Sequence, residues 1–202
     1  MRVAEIFTSI QGEGFQQGRK AVFIRFAGCS LGCDWCDTTY ANEDVENAPN
    51  LLPNEIMSLV SRLPSAPLVV LTGGEPLEQD HRLITVLINL LKENFKLVQI
   101  ETNGTISYVP HYAQRVWITV SPKPKANYHI NIHKPNEIKI VEDPSVTPEL
   151  LDKIANKYNF SCYHILQPKD DSIESLITCA ELVVKCPRWI VRDRLQKRLG
   201  IR

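Results

Sequence analysis

The sequence predicts an α/β fold built on a mostly parallel sheet, and three observations lead there. Short apolar runs rich in β-branched and aromatic residues alternate with segments whose apolar residues recur at helical spacing. Such alternation implies right-handed β-α-β crossovers. Nearly every apolar run also ends in a polar, Gly- or Pro-bearing segment, which puts the chemistry at the C-terminal ends of the strands. A chain of 202 residues suffices for one domain with a sizeable core. The runs are too few for a full eight-stranded barrel, so the expected architecture is a partial (β/α)6-type TIM barrel.

Ala21-Val-Phe-Ile-Arg-Phe26 reads as the first barrel strand. Pro53 then sits where a first helical residue would, followed by Ile56, Leu59, Val60 and Leu63 at helical spacing. Leu68 to Leu71 is a buried-type strand. Residues 80 to 94 form a helix with Leu83, Val86, Leu87, Leu90 and Leu91 on one face. Leu97 to Ile100, Val116 to Val120 and Glu137 to Val141 are strands. Thr147-Pro148 opens a helix with a Thr cap. Tyr163 to Leu166 is a further strand, and residues 171 to 185 a further helix.

Lys+Arg and Asp+Glu balance at 23 each, which offers no global field for nucleic acid or an anionic membrane. The opening MRVAEIFTSIQGEG lacks the long apolar run of a secretory leader, and no apolar stretch approaches the ~20 residues of a membrane span. A cytoplasmic protein is therefore expected. In that compartment thiols stay reduced, so six cysteines point to metal or redox chemistry before disulfides.

Three of them form Cys29-Ser-Leu-Gly-Cys33-Asp-Trp-Cys36, a CxxxCxxC directly after a strand. Structural zinc normally takes four Cys or His ligands, and iron–sulfur clusters are ordinarily held by four Cys. Here the fourth is missing, which would leave one iron of a [4Fe–4S] cluster open to an outside ligand. Free thiols, or zinc completed by a distant residue, are the competing readings. Cys162, Cys179 and Cys186 lack ligand spacing and read as packing residues, and His129 and His133 as part of a solvated loop. At the other strand ends, Thr72-Gly73-Gly74-Glu75-Pro76 offers backbone that can approach a ligand closely. At two further strand ends, Ser121 with Lys123 and Gln167-Pro168 supply a hydroxyl, a cation and an amide.

CxxxCxxC after the first strand, with Trp35 just before the last Cys, resembles the signature of the radical S-adenosylmethionine superfamily. Glu5-Ile-Phe-Thr-Ser-Ile-Gln-Gly-Glu-Gly14, Arg25, Cys36-Asp-Thr38, TGGEP, ETNG, VSPK and LQP run in order from the N-terminus to about residue 170. Together they resemble the 7-carboxy-7-deazaguanine synthases of that superfamily. The resemblance implies one radical domain over 1–202, an enzyme that rearranges 6-carboxy-5,6,7,8-tetrahydropterin with loss of ammonia, a [4Fe–4S] cluster, S-adenosylmethionine and Mg²⁺. It also implies a homodimer and an electron donor such as flavodoxin or ferredoxin.

By the same resemblance Cys29, Cys33 and Cys36 hold the cluster and Thr38 ligates Mg²⁺. Trp35, Cys36, Asp37, Gly74, Ser121, Pro122, Lys123, Gln167, Pro168, Lys169 and Asp170 bind S-adenosylmethionine. Ile10, Gln11, Gly12, Arg25 and Thr72 bind the pterin. A bidentate Arg suits a carboxylate and a Gln can read a pterin edge; the competing reading of Arg25 is an ion pair with a barrel acid. The tail departs from the family pattern: Arg194-Leu-Gln196-Lys stands where members commonly carry a Q-x-H-K segment, so the His is absent. A glycyl-radical-enzyme activase shares the cysteine spacing but has no use for IQGEG, Arg25 or Cys-Asp-Thr. A non-catalytic zinc or cluster module is the rival from another class.

Overall fold

The computed structural model describes residues 1–34, 36–38, 45–107, 116–159, 162–169 and 172–201. Eight strands form one sheet in chain order: β1 (Val3–Ile10), β2 (Lys20–Phe26), β3 (Leu68–Gly73), β4 (Leu97–Thr102), β5 (Val116–Val120), β6 (Glu137–Val141), β7 (Tyr163–Gln167) and β8 (Trp189–Val191). Strands β2 to β8 are parallel in succession, while β1 runs antiparallel to β2. The six expected strands are β2 to β7. The first, β1, was not anticipated, although Val3 to Ile10 is extended-compatible. β8 is only three residues long, too short to register as a periodic run.

Helices α1 (Pro53–Val60), α2 (His81–Asn94), α3 (Pro148–Lys157) and α4 (Ile173–Lys185) cover the outer face, and α5 (Leu195–Arg198) closes the chain. Their starts follow local chemistry. Pro53 and Pro148 occupy first-turn positions, where a missing N–H costs nothing. Asp80 accepts from the Arg82 and Leu83 amides, Thr147 from Leu150 and Ser172 from Ser175. Two expectations shift. Helix α1 ends at Val60, so Leu63 lies beyond it. In α2 the buried stripe is Ile84, Leu87, Ile88 and Leu91, whereas Val86 is exposed. Apolar residues spread over more than one face of α2, and only packing on the sheet selects the face. No helix links β5 to β6; a 3-10 turn at Pro124–Ala126 stands in that crossover.

Strand alternation separates two environments. Val22, Ile24, Val69, Leu71, Val98, Ile100, Ile138 and Ile140 point outward into the main core under the helices. On the inner face, Ala21, Phe23, Leu68, Val70 and Leu97 pack at the N-terminal ends of their strands. Above this apolar floor the inward residues turn polar: Arg25, Thr72, Gln99, Glu101, Thr119 and Lys139. Register sets Arg25 beside Thr72 and Glu101 beside Thr119. A polar interior opening at the C-terminal strand ends is what an active site needs.

Candidate active site at the C-terminal strand ends

The cysteine loop leaves β2 and is tied down from several sides. Gly74 N–H donates to Phe26 O (2.8 Å) and Glu75 N–H to Gly28 O (2.7 Å), continuing the β2–β3 pairing past the strands. A Cβ on Gly74 would lie 1.9 Å from Gly28 O, and one on Gly73 (φ +111°) 2.3 Å from Phe26 O. The glycine pair thus lets the cysteine loop dock against β3, a role beyond the ligand clearance read from sequence. Ser30 bonds Glu78 through its amide and hydroxyl, and Lys125 Nζ reaches Gly32 O (2.5 Å) and Asp34 (3.0 Å). Asn103 Nδ2 approaches Cys29 Sγ at 3.9 Å. Glu75, almost fully buried, accepts from Leu77 N, Thr102 Oγ1 and Asn103 N, bracing the ends of β3 and β4. Burial pushes its carboxyl up to about 6.

Cys29, Cys33 and Cys36 are free, partly exposed thiols lining one cavity. Burial pushes the Cys29 and Cys33 thiols up. Among the described residues no three Cys, His, Asp or Glu side chains already stand at metal-binding spacing. The donor set nevertheless fits an iron–sulfur cluster, since three thiols from one short loop line a common space and no fourth Cys joins them among the described residues. Cys179 and Cys186 are buried in the core and Cys162 packs against it, as their sequence context indicated. His129 is exposed and bonds Asn131.

Gly74, Ser121, Lys123, Gln167, Lys169 and Asp37 line the same cavity as the cysteines. Lys123 Nζ donates to Ser121 Oγ at 2.5 Å, and burial, with Lys139 nearby, lowers the Lys123 ammonium. Gln167 Oε1 is buried without a hydrogen-bond partner, an acceptor suited to the N–H₂ of a purine. Pro122 and Pro168 are buried behind their strand ends and do not line the cavity. Trp35 and Asp170 lie outside the described residues.

A second cavity abuts the first and shares Glu13, Asp37, Thr38, Thr72, Glu101 and Lys139 with it. Ile10, Gln11, Gly12 and Arg25 line it. Arg25 Nε pairs with Glu5 at 2.7 Å while its Nη1 lies 3.4 Å from Thr38 Oγ1. The barrel-acid pairing and the cavity-facing position therefore coexist. Thr38 Oγ1 also donates to Asp37 at 3.2 Å. The Gln11 amide donates to Gln99 and Glu101, so its Nε2 serves the wall. Gly12 has a separate reason to be bare: a Cβ there would meet Gln196 Oε1 at 1.7 Å.

Sequence reasoning passed over the charged centre of this wall. Lys139, almost fully buried, bonds Glu13 at 2.6 Å and Glu101 at 3.0 Å. Burial opposes ionisation of Glu13, but Lys139 outweighs it and holds the carboxyl down at about 2. Burial keeps Glu101 above the usual carboxylate range. The C-terminal tail also belongs to the site. Leu195 N–H bonds Gly12 O, Gln196 Nε2 donates to Glu13 at 2.8 Å, and Arg194 reaches Asp37 at 3.3 Å. The charge of Glu13 within IQGEG and the inward phase of Lys139 in EIKIV were the available signals.

A mostly parallel, partial barrel that seats a three-cysteine loop beside a glycine-paired strand end defines the architecture of a radical S-adenosylmethionine enzyme. A family model for the Radical SAM superfamily matches residues 23–163. Over its full length the chain is 36% identical to the 7-carboxy-7-deazaguanine synthase of Bacteroides thetaiotaomicron, covering 98% of that protein. It is 32% identical to the synthase of Buchnera aphidicola, with 99% and 98% of the two chains covered. The crystal structure of QueE from Escherichia coli superposes with a TM-score of 0.75 at 27% identity, covering 96% of this chain and 93% of that one. The chain belongs to the 7-carboxy-7-deazaguanine synthases. As a radical SAM enzyme it uses a [4Fe–4S] cluster and S-adenosylmethionine.

Proposed function

We propose that this chain, acting as a single domain, converts 6-carboxy-5,6,7,8-tetrahydropterin into 7-carboxy-7-deazaguanine and ammonia, with Cys29, Cys33 and Cys36 as the cluster ligands. One observation carries the assignment of residues: the cavity lined by the cysteines and the cavity lined by Arg25 share a wall, so a nucleoside cofactor and a carboxylated substrate would sit in contact. Cys29, Cys33 and Cys36 would hold the cluster, which when bound would supply the electron for reductive cleavage of S-adenosylmethionine.

The chain's own residues do the positioning. Gly74, Ser121, Lys123 and Gln167 orient S-adenosylmethionine, with Trp35, Asp37, Lys169 and Asp170 around it, while Pro122 and Pro168 back the strand ends. Arg25 receives the substrate carboxylate, and Ile10, Gln11, Gly12 and Thr72 border the ring. Thr38 would offer a hard oxygen to Mg²⁺, which when bound would supply positive charge beside that carboxylate. Glu13 and Glu101 add acceptors for ring N–H groups. The apolar floor excludes water from below, and the tail covers the side. The overall change is redox-neutral, since the product and ammonia together account for every atom of the pterin.

A homodimer in the cytoplasm, reduced by flavodoxin or ferredoxin, completes the reading. No helix among the described residues is long and apolar enough to cross a membrane. Anaerobic incubation with the pterin, S-adenosylmethionine, Mg²⁺ and dithionite tests the proposal. Product formation is expected, and an intact cluster that cleaves S-adenosylmethionine without making the deazaguanine would refute the substrate.

A further inference from the structure

Lys139 is the inward residue of β6 between Glu137 and Val141, and its neighbours Ile138 and Ile140 fix that direction by packing into the core. Its ammonium meets two carboxylates from separate elements, Glu13 of the loop after β1 and Glu101 of β4. Each carboxylate is held at its other oxygen as well. Gln196 donates to Glu13 Oε1, and Gln99 and Gln11 donate to Glu101 Oε1. Both acids line both cavities. The other charged groups that act on this centre are Lys123 after β5, Arg194 of the tail and Glu137 at the start of β6. Two carboxylates brought into a buried space cannot both stay charged without a cation between them.

We propose that Lys139 is a positioning residue for the substrate: it holds Glu13 and Glu101 as a fixed pair of carboxylate acceptors, a recognition element for a ring rich in N–H donors. This deepens the reading above and rests on its pterin substrate. Without Lys139, one carboxyl keeps its proton at neutral pH and presents O–H where an acceptor is needed. Ring binding is then lost as pH falls. Lys139 itself stays charged, because its two acid partners outweigh the opposing effect of burial.

The test is the dissociation constant of the pterin from anaerobic holoenzyme, measured calorimetrically between pH 6 and 8, as the ratio of variant to wild type. The ratio cancels the titration of the substrate itself. For Lys139→Met the ratio is expected to be ~10 or more at pH 8 and to grow up to ~10-fold per pH unit on lowering pH, the slope of one proton. Iron content is expected to match wild type. Lys139→Arg, which keeps the cation, is expected to bind with a ratio that does not vary with pH. A pH-independent or unit ratio for Lys139→Met overturns the proposal. Should that variant not fold, Lys139→Gln, which removes the cation but keeps a neutral hydrogen-bond donor and both carboxylates, carries the same readout; a flat ratio there overturns it equally. Wild-type enzyme that does not bind the pterin overturns the substrate and the proposal together. Wild type that binds, with a variant that copies it, overturns only the role of Lys139.

Discussion

Gly74→Ala is a small change with a large expected consequence. The added methyl carbon would sit 1.9 Å from Gly28 O and 2.4 Å from Gly28 C, both backbone atoms of the segment leading into the cysteines. Relief requires that the loop move away by more than 1 Å, which breaks Gly74 N–H to Phe26 O and Glu75 N–H to Gly28 O. Overpacking costs about 1–3 kcal/mol and each lost hydrogen bond about 1 kcal/mol, so docking weakens by about 3–5 kcal/mol. The main core lies on the other side of the sheet and is untouched. The fold should therefore persist while the cysteine loop detaches. Anaerobic reconstitution should give a small fraction of wild-type iron, with a far-UV circular dichroism spectrum like wild type. Gly18→Ala is the control, because no atom lies within 4 Å of the added carbon. Its cost is the left-handed backbone alone, about 1 kcal/mol, and its iron content should be normal. A Gly74→Ala protein that binds full iron at an unchanged melting temperature would falsify the docking role.

Cys33→Ala should lose both cluster and turnover, whereas Cys179→Ala, deep in the core, should cost about 1 kcal/mol in chemical denaturation and leave iron content intact. Arg25→Ala removes a charged partner of the mostly buried Glu5 carboxylate, so denaturant titration should show a loss of about 1–3 kcal/mol. Adding Glu5→Gln should restore most of that stability but not pterin binding; recovery of binding would refute a direct role for Arg25. Glu137 is pushed up to about 7 by burial, with Glu101 adding to it, from 4.5 in the unfolded chain. An acid raised on folding costs nothing below its unfolded value. The penalty grows as pH rises between the two values, to about 3 kcal/mol above pH 7. Glu137→Gln should thus be near neutral in thermal melts at pH 5 and stabilising at pH 8.

Much of the fold was legible because strand and helix periods are local properties. Ala21 to Phe26 and Leu68 to Leu71 declared themselves by composition, and Thr147-Pro148 by its cap. What local signals could not supply was choice among near-equal faces, as in α2, where packing on the sheet and not spacing buried Ile84 and exposed Val86. The short β8 acquires its identity only by hydrogen bonding to β7.

The site divides along the same line. Three cysteines spaced within one loop are a sequence fact, since a short loop can gather its own ligands whatever the rest of the chain does. The glycine pair, Ser121 with Lys123, and Gln167 were readable because each follows a strand, and strand ends in a parallel sheet share one face. The contacts of Lys139 with Glu13 and Glu101 span separations of 126 and 38 residues. Gln196 reaches Glu13 across 183. No local period encodes such meetings. They exist because the sheet brings one face of several strands onto a common volume too small for unpaired charge. The sequence by itself determined which chemistry the loop can hold. Only the tertiary structure decided that the tail packs onto Gly12 and Glu13, and that a single buried lysine holds two acids in place.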